Sequence, residues 1–225
     1  MKAAKEDKSI LELFAPSNRF CVCLCSDWRK FQSLSQGISM TTLGQGLADY
    51  YQSLVDMLYE RFPDGQFFVD WIADELFLVI FASDHQMDKK LVEEAFHLSK
   101  DILNFKKDFY RKNGFPAGVD IGISCGVASV GIFGQGGIAK ATAFGTTPGK
   151  ARGLQDVAKR LRITNGSIDR VVMTSEVIQA LEGLAEGTDC LKVNDVTPKL
   201  KSQLVEVFVW PAGDEDNKAG SLAAL

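Results

Sequence analysis

Two stretches of buried-strand character bracket one long amphipathic segment, and that arrangement limits what the chain can fold into. The first is Phe20-Cys21-Val22-Cys23-Leu24-Cys25, which stops at Ser26-Asp27. The second is a pair of runs, Phe67-Phe68-Val69-Asp70-Trp71-Ile72 and Leu76-Phe77-Leu78-Val79-Ile80-Phe81, split by Ala73-Asp74-Glu75. The first run, from Arg19 to Cys25, is nearly continuously apolar and reads as a strand covered on both faces; the second pair reads as a strand–bend–strand. Between them, Leu43, Leu47, Tyr51, Leu54 and Leu58 recur at helical spacing, and Pro63-Asp64-Gly65 closes the segment with turn chemistry. The expected order is strand, helix over 37–62, hairpin. It puts Asp27 at the end of a buried strand and Asp74 in the bend of the hairpin. Two carboxylates at adjacent strand ends can share hard cations, because Mg²⁺-type ions take oxygen ligands and are held by one or two carboxylates plus substrate phosphates. Each Asp would equally serve as a local cap of its strand or turn.

Further along, 88–112 reads as a second helix. Leu91, Ala95, Leu98, Ile102, Phe105 and Phe109 share one face, and Lys89, Lys90, Glu93, Glu94, Lys106 and Lys107 form a solvated one. Asn113-Gly114 and Pro116 stop it. Two short strands are expected at 119–124 and 128–133, followed by a Gly134–Gly137 bend. A helix over 146–161 carries Pro148 in its first turn. A strand at 171–173, a short helix to Leu184 and a closing hairpin (190–193 and 204–210) complete the pattern. Residues 1–18 form a polar arm with an apolar patch at 10–14, residues 19–211 one domain, and 212–225 a tail. Strand, helix, strand, strand, helix, strand is the ferredoxin-like βαββαβ order of an α+β fold, here with C-terminal αβ additions.

Composition removes several function classes. A chain of 225 residues fits one domain. With 29 acidic against 25 basic residues the net charge is −4, which gives no electrostatic reason to bind nucleic acid. No apolar run approaches the roughly 20 residues that span a bilayer, so no membrane segment is expected in this chain. Of five cysteines, Cys21, Cys23 and Cys25 alternate along one strand. They fall on one strand face as small hydrophobes, in keeping with a reducing, cytoplasmic setting.

Three motifs, in order and at fitting spacing, resemble the catalytic domains of class III nucleotidyl cyclases, the adenylate and guanylate cyclases. That family carries an apolar strand and then Phe-Ala-Asp-Ile-x-Gly-Phe-Thr-x-Leu-Ser; this chain has Leu24-Cys25-Ser26-Asp27-Trp28-Arg29-Lys30-Phe31-Gln32-Ser33-Leu34-Ser35. The family's Lys-x-Ile-Gly-Asp is matched by Asp70-Trp71-Ile72-Ala73-Asp74. Its Gly-Glu-Thr-Pro-Asn-x-Ala-x-Arg-Leu-Gln is matched by Gly145-Thr146-Thr147-Pro148-Gly149-Lys150-Ala151-Arg152-Gly153-Leu154-Gln155. The resemblance covers roughly residues 19 to 210.

The resemblance implies a homodimer that converts a nucleoside triphosphate to a 3′,5′-cyclic nucleotide, with each site shared between subunits. It assigns two Mg²⁺ or Mn²⁺ ions per site to Asp27 and Asp74. It assigns phosphate contacts to the backbone of Trp28, Arg29, Lys30 and Phe31 and to Lys199, with Lys201 as runner-up. Asp70 and Thr142 fall at the base-reading positions, where Asp70 replaces a Lys. Gly149 and Gly153 replace the Asn that orients the ribose and the Arg that steadies the phosphorus; Arg152 is the catalytic substitute and Lys150 a weaker one. Asp70 accepts hydrogen bonds as a Lys cannot. That points to a pyrimidine base, and to the superfamily's bacterial cyclases of cyclic UMP and cyclic CMP in antiviral signalling. The paired glycines support the alternative of a degenerate cyclase-like module that binds nucleotide or dimerises.

Overall fold

The computed structural model describes residues 15–113, 118–134, 139–165, 169–182, 190–196 and 205–210. The apolar patch at 10–14, the tail, most of the Gly134–Gly137 bend, and Lys199 and Lys201 lie outside them.

The elements in chain order are β1 (Ser17–Trp28), α1 (Phe31–Gly37), α2 (Met40–Arg61), β2 (Phe67–Ile72), β3 (Glu75–Phe81), α3 (Lys89–Asn113), β4 (Val119–Phe133), β5 (Lys140–Phe144), α4 (Thr146–Asn165), β6 (Arg170–Met173), α5 (Ser175–Ala180), β7 (Leu191–Val196) and β8 (Val205–Trp210). They build one sheet in the order β2-β3-β1-β4-β6-β8-β7, with β5 pairing the distal half of β4. The β2-β3-β1-β4 half is the ferredoxin-like core. All its pairings are antiparallel, and β4–β6 is parallel.

β1 sits in the middle and is covered on both faces, as its composition requires. Phe20, Val22 and Leu24 point to one core, with Tyr50, Leu54 and Leu58 of α2 and Val92, Phe96 and Ile102 of α3. Cys21, Cys23 and Cys25 point to the other, with Val79, Phe81 and Ala151 of α4. All five cysteines are free thiols.

The helix expected over 37–62 is α2, started by Ser39, whose side chain accepts a hydrogen bond from the Thr42 amide at 3.1 Å; the short α1 before it was not expected. Three expectations need correction. Within α2, Tyr50 rather than Tyr51 takes the fully buried place. The two short strands at 119–133 are one long strand; Gly126, at φ 150°, passes through without a break, and β5 pairs onto its end unannounced by any apolar run. Lys106 is not on the solvated face of α3. It is fully buried, with Nζ 3.2 Å from the Trp28 ring centroid. It stands i+4 from Ile102 and i−3 from Phe109, so helical geometry turns it inward with them.

Candidate functional site

The site is built where β1 runs out. Asp27 lies opposite Asp120 in the β1–β4 register, and Trp28 ends the strand buried among Tyr50, Phe31 and Phe109. Arg29 then turns inward, to Asp120 at 3.3 Å and Asp169 at 3.0 Å, while its amide donates to the Gly118 carbonyl at 3.1 Å. Lys30 takes a left-handed conformation, φ 58° and ψ 27°, and α1 begins at once. The β2–β3 hairpin reaches the same place. Its turn is Ala73-Asp74, with Ala73 at φ 53° and its carbonyl held by the Tyr51 hydroxyl. Lys30 and Ala73 both stand where the cyclase motifs have Gly, and both keep the backbone conformation that Gly favours.

The two turns bring Asp27 and Asp74 side by side. Asp74 is 8% exposed, and its Oδ2 accepts the Trp28 amide at 3.1 Å. Burial, and then the neighbouring Asp27 carboxylate, push its pKa up to about 8. Two carboxylates that compete for one proton are a hard-oxygen donor pair that a divalent cation would relieve, so the residues fit Mg²⁺ or Mn²⁺. Among the described residues no cluster of three or more His, Cys, Asp or Glu forms a metal site, so further ligands would come from substrate and water. A cleft of about 380 Å³ opens here, lined by Asp27, Asp74, residues 28–33, Asp120 and Lys159.

One face of α4 supplies groups that the sequence reading missed. Gln155 Nε2 donates to Asp27 Oδ2 at 3.3 Å, and Lys159 Nζ donates to the same oxygen. Their i,i+4 spacing puts them on one helix face. Which face meets the sheet is decided at Gly122, where a Cβ would lie 2.3 Å from the Ala151 carbonyl oxygen and 2.4 Å from the Gln155 amide. Only Gly lets the helix backbone approach so closely.

The remaining residues named from the sequence are placed apart from the carboxylate pair. Arg152, on α4, is half exposed and pairs with Glu75 at 2.8 Å, its guanidinium 5.8 Å from the Phe77 ring centroid. Lys150 pairs with Glu176 at 2.6 Å. Gly149 faces open space, whereas Gly153 is buried. Asp70 pairs with Lys140 at 2.5 Å, and Thr142 follows two residues later on the same face of β5. Asp70 and Thr142 are thus brought to one region through Lys140, which the sequence reading passed over.

No family model and no curated protein matches this chain. Solved structures do. The adenylyl cyclase CyaB from P. aeruginosa superposes with a TM-score of 0.66 at 17% identity, covering 86% of this chain and 94% of that one. The guanylyl cyclase Cya2 gives 0.66 at 17%, covering 90% and 97%. The guanylate cyclase domain of RhGC from Catenaria anguillulae, in complex with GTP, gives 0.64 at 13%, covering 86% and 97%. The fold is that of a class III cyclase catalytic domain.

Proposed function

We propose that this chain is a nucleotidyl cyclase that closes a nucleoside triphosphate to its 3′,5′-cyclic monophosphate as a homodimer. The observation that carries the reading is the meeting of Asp27 and Asp74 at one cleft, on a fold shared with adenylyl and guanylyl cyclases. In the reaction the ribose 3′-hydroxyl gives up its proton to water, its oxygen attacks the α-phosphorus, the bond from that phosphorus to the β-phosphate oxygen breaks, and pyrophosphate leaves with the displaced electron pair. Divalent ions held by Asp27 and Asp74 would favour the ionised 3′-oxygen and neutralise the triphosphate.

The chain's own residues have three tasks here. The β1–α1 turn, from Trp28 to Phe31, lines the cleft and would border the phosphates. The Trp28 amide is spent on Asp74 and the Arg29 amide on Gly118, so the Lys30 side chain supplies the charge that those amides do not. Asp70 and Lys140 present one acceptor beside one donor to the base. A uracil edge answers with N3–H and O4, and this pyrimidine reading is the one we favour. A guanine edge offers N1–H and O6 in the same sense. Arg152 would act on the phosphorus only after leaving Glu75.

That last point favours a second reading. With Gly at 149 and 153 and Arg152 held by Glu75, a cyclase-like domain that binds metal and nucleotide without turnover is the alternative. One assay decides. The protein is incubated with Mn²⁺ and each of ATP, GTP, CTP and UTP, and products are resolved by mass. The expected result is a cyclic pyrimidine nucleotide. Cyclic GMP would keep the cyclase and reassign the base. No product from any of the four would overturn the cyclase in favour of the binding module.

A further inference from the structure

The β1–α1 turn lines the cleft, yet its one arginine is aimed away from it. The Arg29 side chain is 7% exposed, and its guanidinium forks to two carboxylates, Nε to Asp120 at 3.3 Å and Nη1 to Asp169 at 3.0 Å. The seat for that side chain is built at Gly118. A Cβ there would lie 2.7 Å from Arg29 Cδ and 2.9 Å from Asp169 Oδ1, so only Gly leaves room for the arginine to pass. The Gly118 carbonyl in turn accepts the Arg29 amide at 3.1 Å. One residue earlier, the Trp28 amide donates to Asp74 Oδ2. Two consecutive residues thus tie the turn to the β2–β3 hairpin, to β4 and its entry, and to the entry of β6. Lys30, the next residue, is left exposed on the cleft lining.

We propose that Arg29 is a positioning residue for the triphosphate: it holds the β1–α1 turn, and Lys30 with it, in the binding conformation before the nucleotide arrives, without touching the phosphates itself. The proposal rests on the reading of this cleft as a nucleoside triphosphate site. Its physical logic is preorganisation. A free turn has to be ordered when the ligand binds, and that cost is subtracted from affinity. The geometry selects Arg for the task. A planar guanidinium donates along two fixed directions at once, whereas an ammonium is a point charge that does not fork to two carboxylates in the same way. Two carboxylates against one guanidinium also leave no positive charge over for phosphate, so the cation that this turn offers to the ligand is Lys30.

The test separates the turn from the carboxylate pair. The purified full chain is titrated by calorimetry with Mn²⁺ alone and then, with Mn²⁺ present, with the α,β-methylene analogues of UTP and GTP, which cannot release pyrophosphate. Amide hydrogen exchange over residues 28–33 is followed in the ligand-free protein. In Arg29→Met, Mn²⁺ alone should bind as in the wild type, the better-bound analogue should bind about tenfold more weakly, and exchange at 28–33 should be about tenfold faster. Arg29→Lys should fall between wild type and Arg29→Met in both readouts. Asp169→Ala removes one partner of Arg29 from a position that is not among the residues lining the cleft, and it serves if Arg29→Met does not fold. It should move both readouts in the same direction by about threefold. Weaker analogue binding with unchanged ligand-free exchange would mean that Arg29 contacts the phosphates directly, and would overturn the proposal. Faster exchange with unchanged affinity would overturn it too, as would an Asp169→Ala protein that binds the analogue as well as or better than the wild type. If the wild type binds neither analogue with Mn²⁺ present, the triphosphate reading itself has failed, and that failure is read before any variant is made.

Discussion

Lys30 and Ala73 hold left-handed backbone conformations at the two turns that deliver Asp27 and Asp74. For an L-residue with a Cβ such a conformation costs roughly 1–2 kcal/mol. The cyclase motifs have Gly at both places, and Gly would take such a conformation without the Cβ cost. Ala73→Gly and Lys30→Gly should each raise unfolding free energy by about 1 kcal/mol in urea titrations. Unchanged or lower midpoints would show that the turns are not strained. Lys106 is the second residue under stress. Burial lowers its pKa from the ordinary 10.5 to about 7, although the Asp74 and Asp169 carboxylates pull the other way. Trp28, Tyr50 and Phe109 are the rings that face it. Between those two pH values the unfolded chain binds more protons than the folded one, so folding grows more favourable as pH rises. Lys106→Met should be more stable than wild type at pH 6, by on the order of 1–3 kcal/mol, with the difference narrowing toward pH 10. A pH-independent difference would mean that Lys106 is not a titrating buried amine. The carboxylate pair makes the third case. Asp74→Asn keeps an acceptor for the Trp28 amide and, at pH above about 8, removes one of two adjacent like charges. The metal-free variant should match or exceed wild-type stability in a thermal melt and fail to bind Mn²⁺ by calorimetry.

At the scale of elements, α4 is the part whose placement the site depends on most. Its start was legible from the Thr146 or Thr147 cap and from Pro148 in the first turn. Its facing was not, because Gly122 lies on another element and its meaning appears only when strand and helix are brought together. Gly122→Ala would force α4 off β4 and carry Gln155 and Lys159 away from Asp27. The expected cost is about 1–3 kcal/mol of stability, together with loss of the Lys159–Asp27 pair. An unchanged urea midpoint would contradict the close approach. The strands β1, β2 and β3 and the α2 stripe were legible for the opposite reason: their signal is local, an apolar run or a repeat of three and four. β5 was missed because Lys140–Phe144 is short and partly exposed and owes its strand character to β4. Lys106 was misassigned by residue type, although its spacing to Ile102 and Phe109 pointed inward.

For the whole molecule, the βαββαβ order and the pairing of Asp27 with Asp74 could be read from the chain, the first from pattern and the second with help from motif resemblance. The surroundings of that pair could not. Lys159, Gln155 and Asp120 reach the pair, and Lys140 reaches Asp70, from elements far apart in sequence, and no local pattern marks those contacts. Among the described residues no helix is long and apolar enough to cross a membrane.

The central place of β1 also has a consequence for how the chain is made. β1 leaves the ribosome before both of its neighbours: β3 ends at Phe81 and β4 at Phe133. At about 5–20 residues per second, roughly 5–20 s pass before the β4 edge exists to pair with it. Until β3 has emerged Phe20–Cys25 is an apolar strand with two open edges, and until β4 has emerged it keeps one, bearing three free thiols on one face. In the finished fold those thiols and both strand edges are covered, so aggregation through β1 or oxidation of its cysteines would have to occur before the sheet closes.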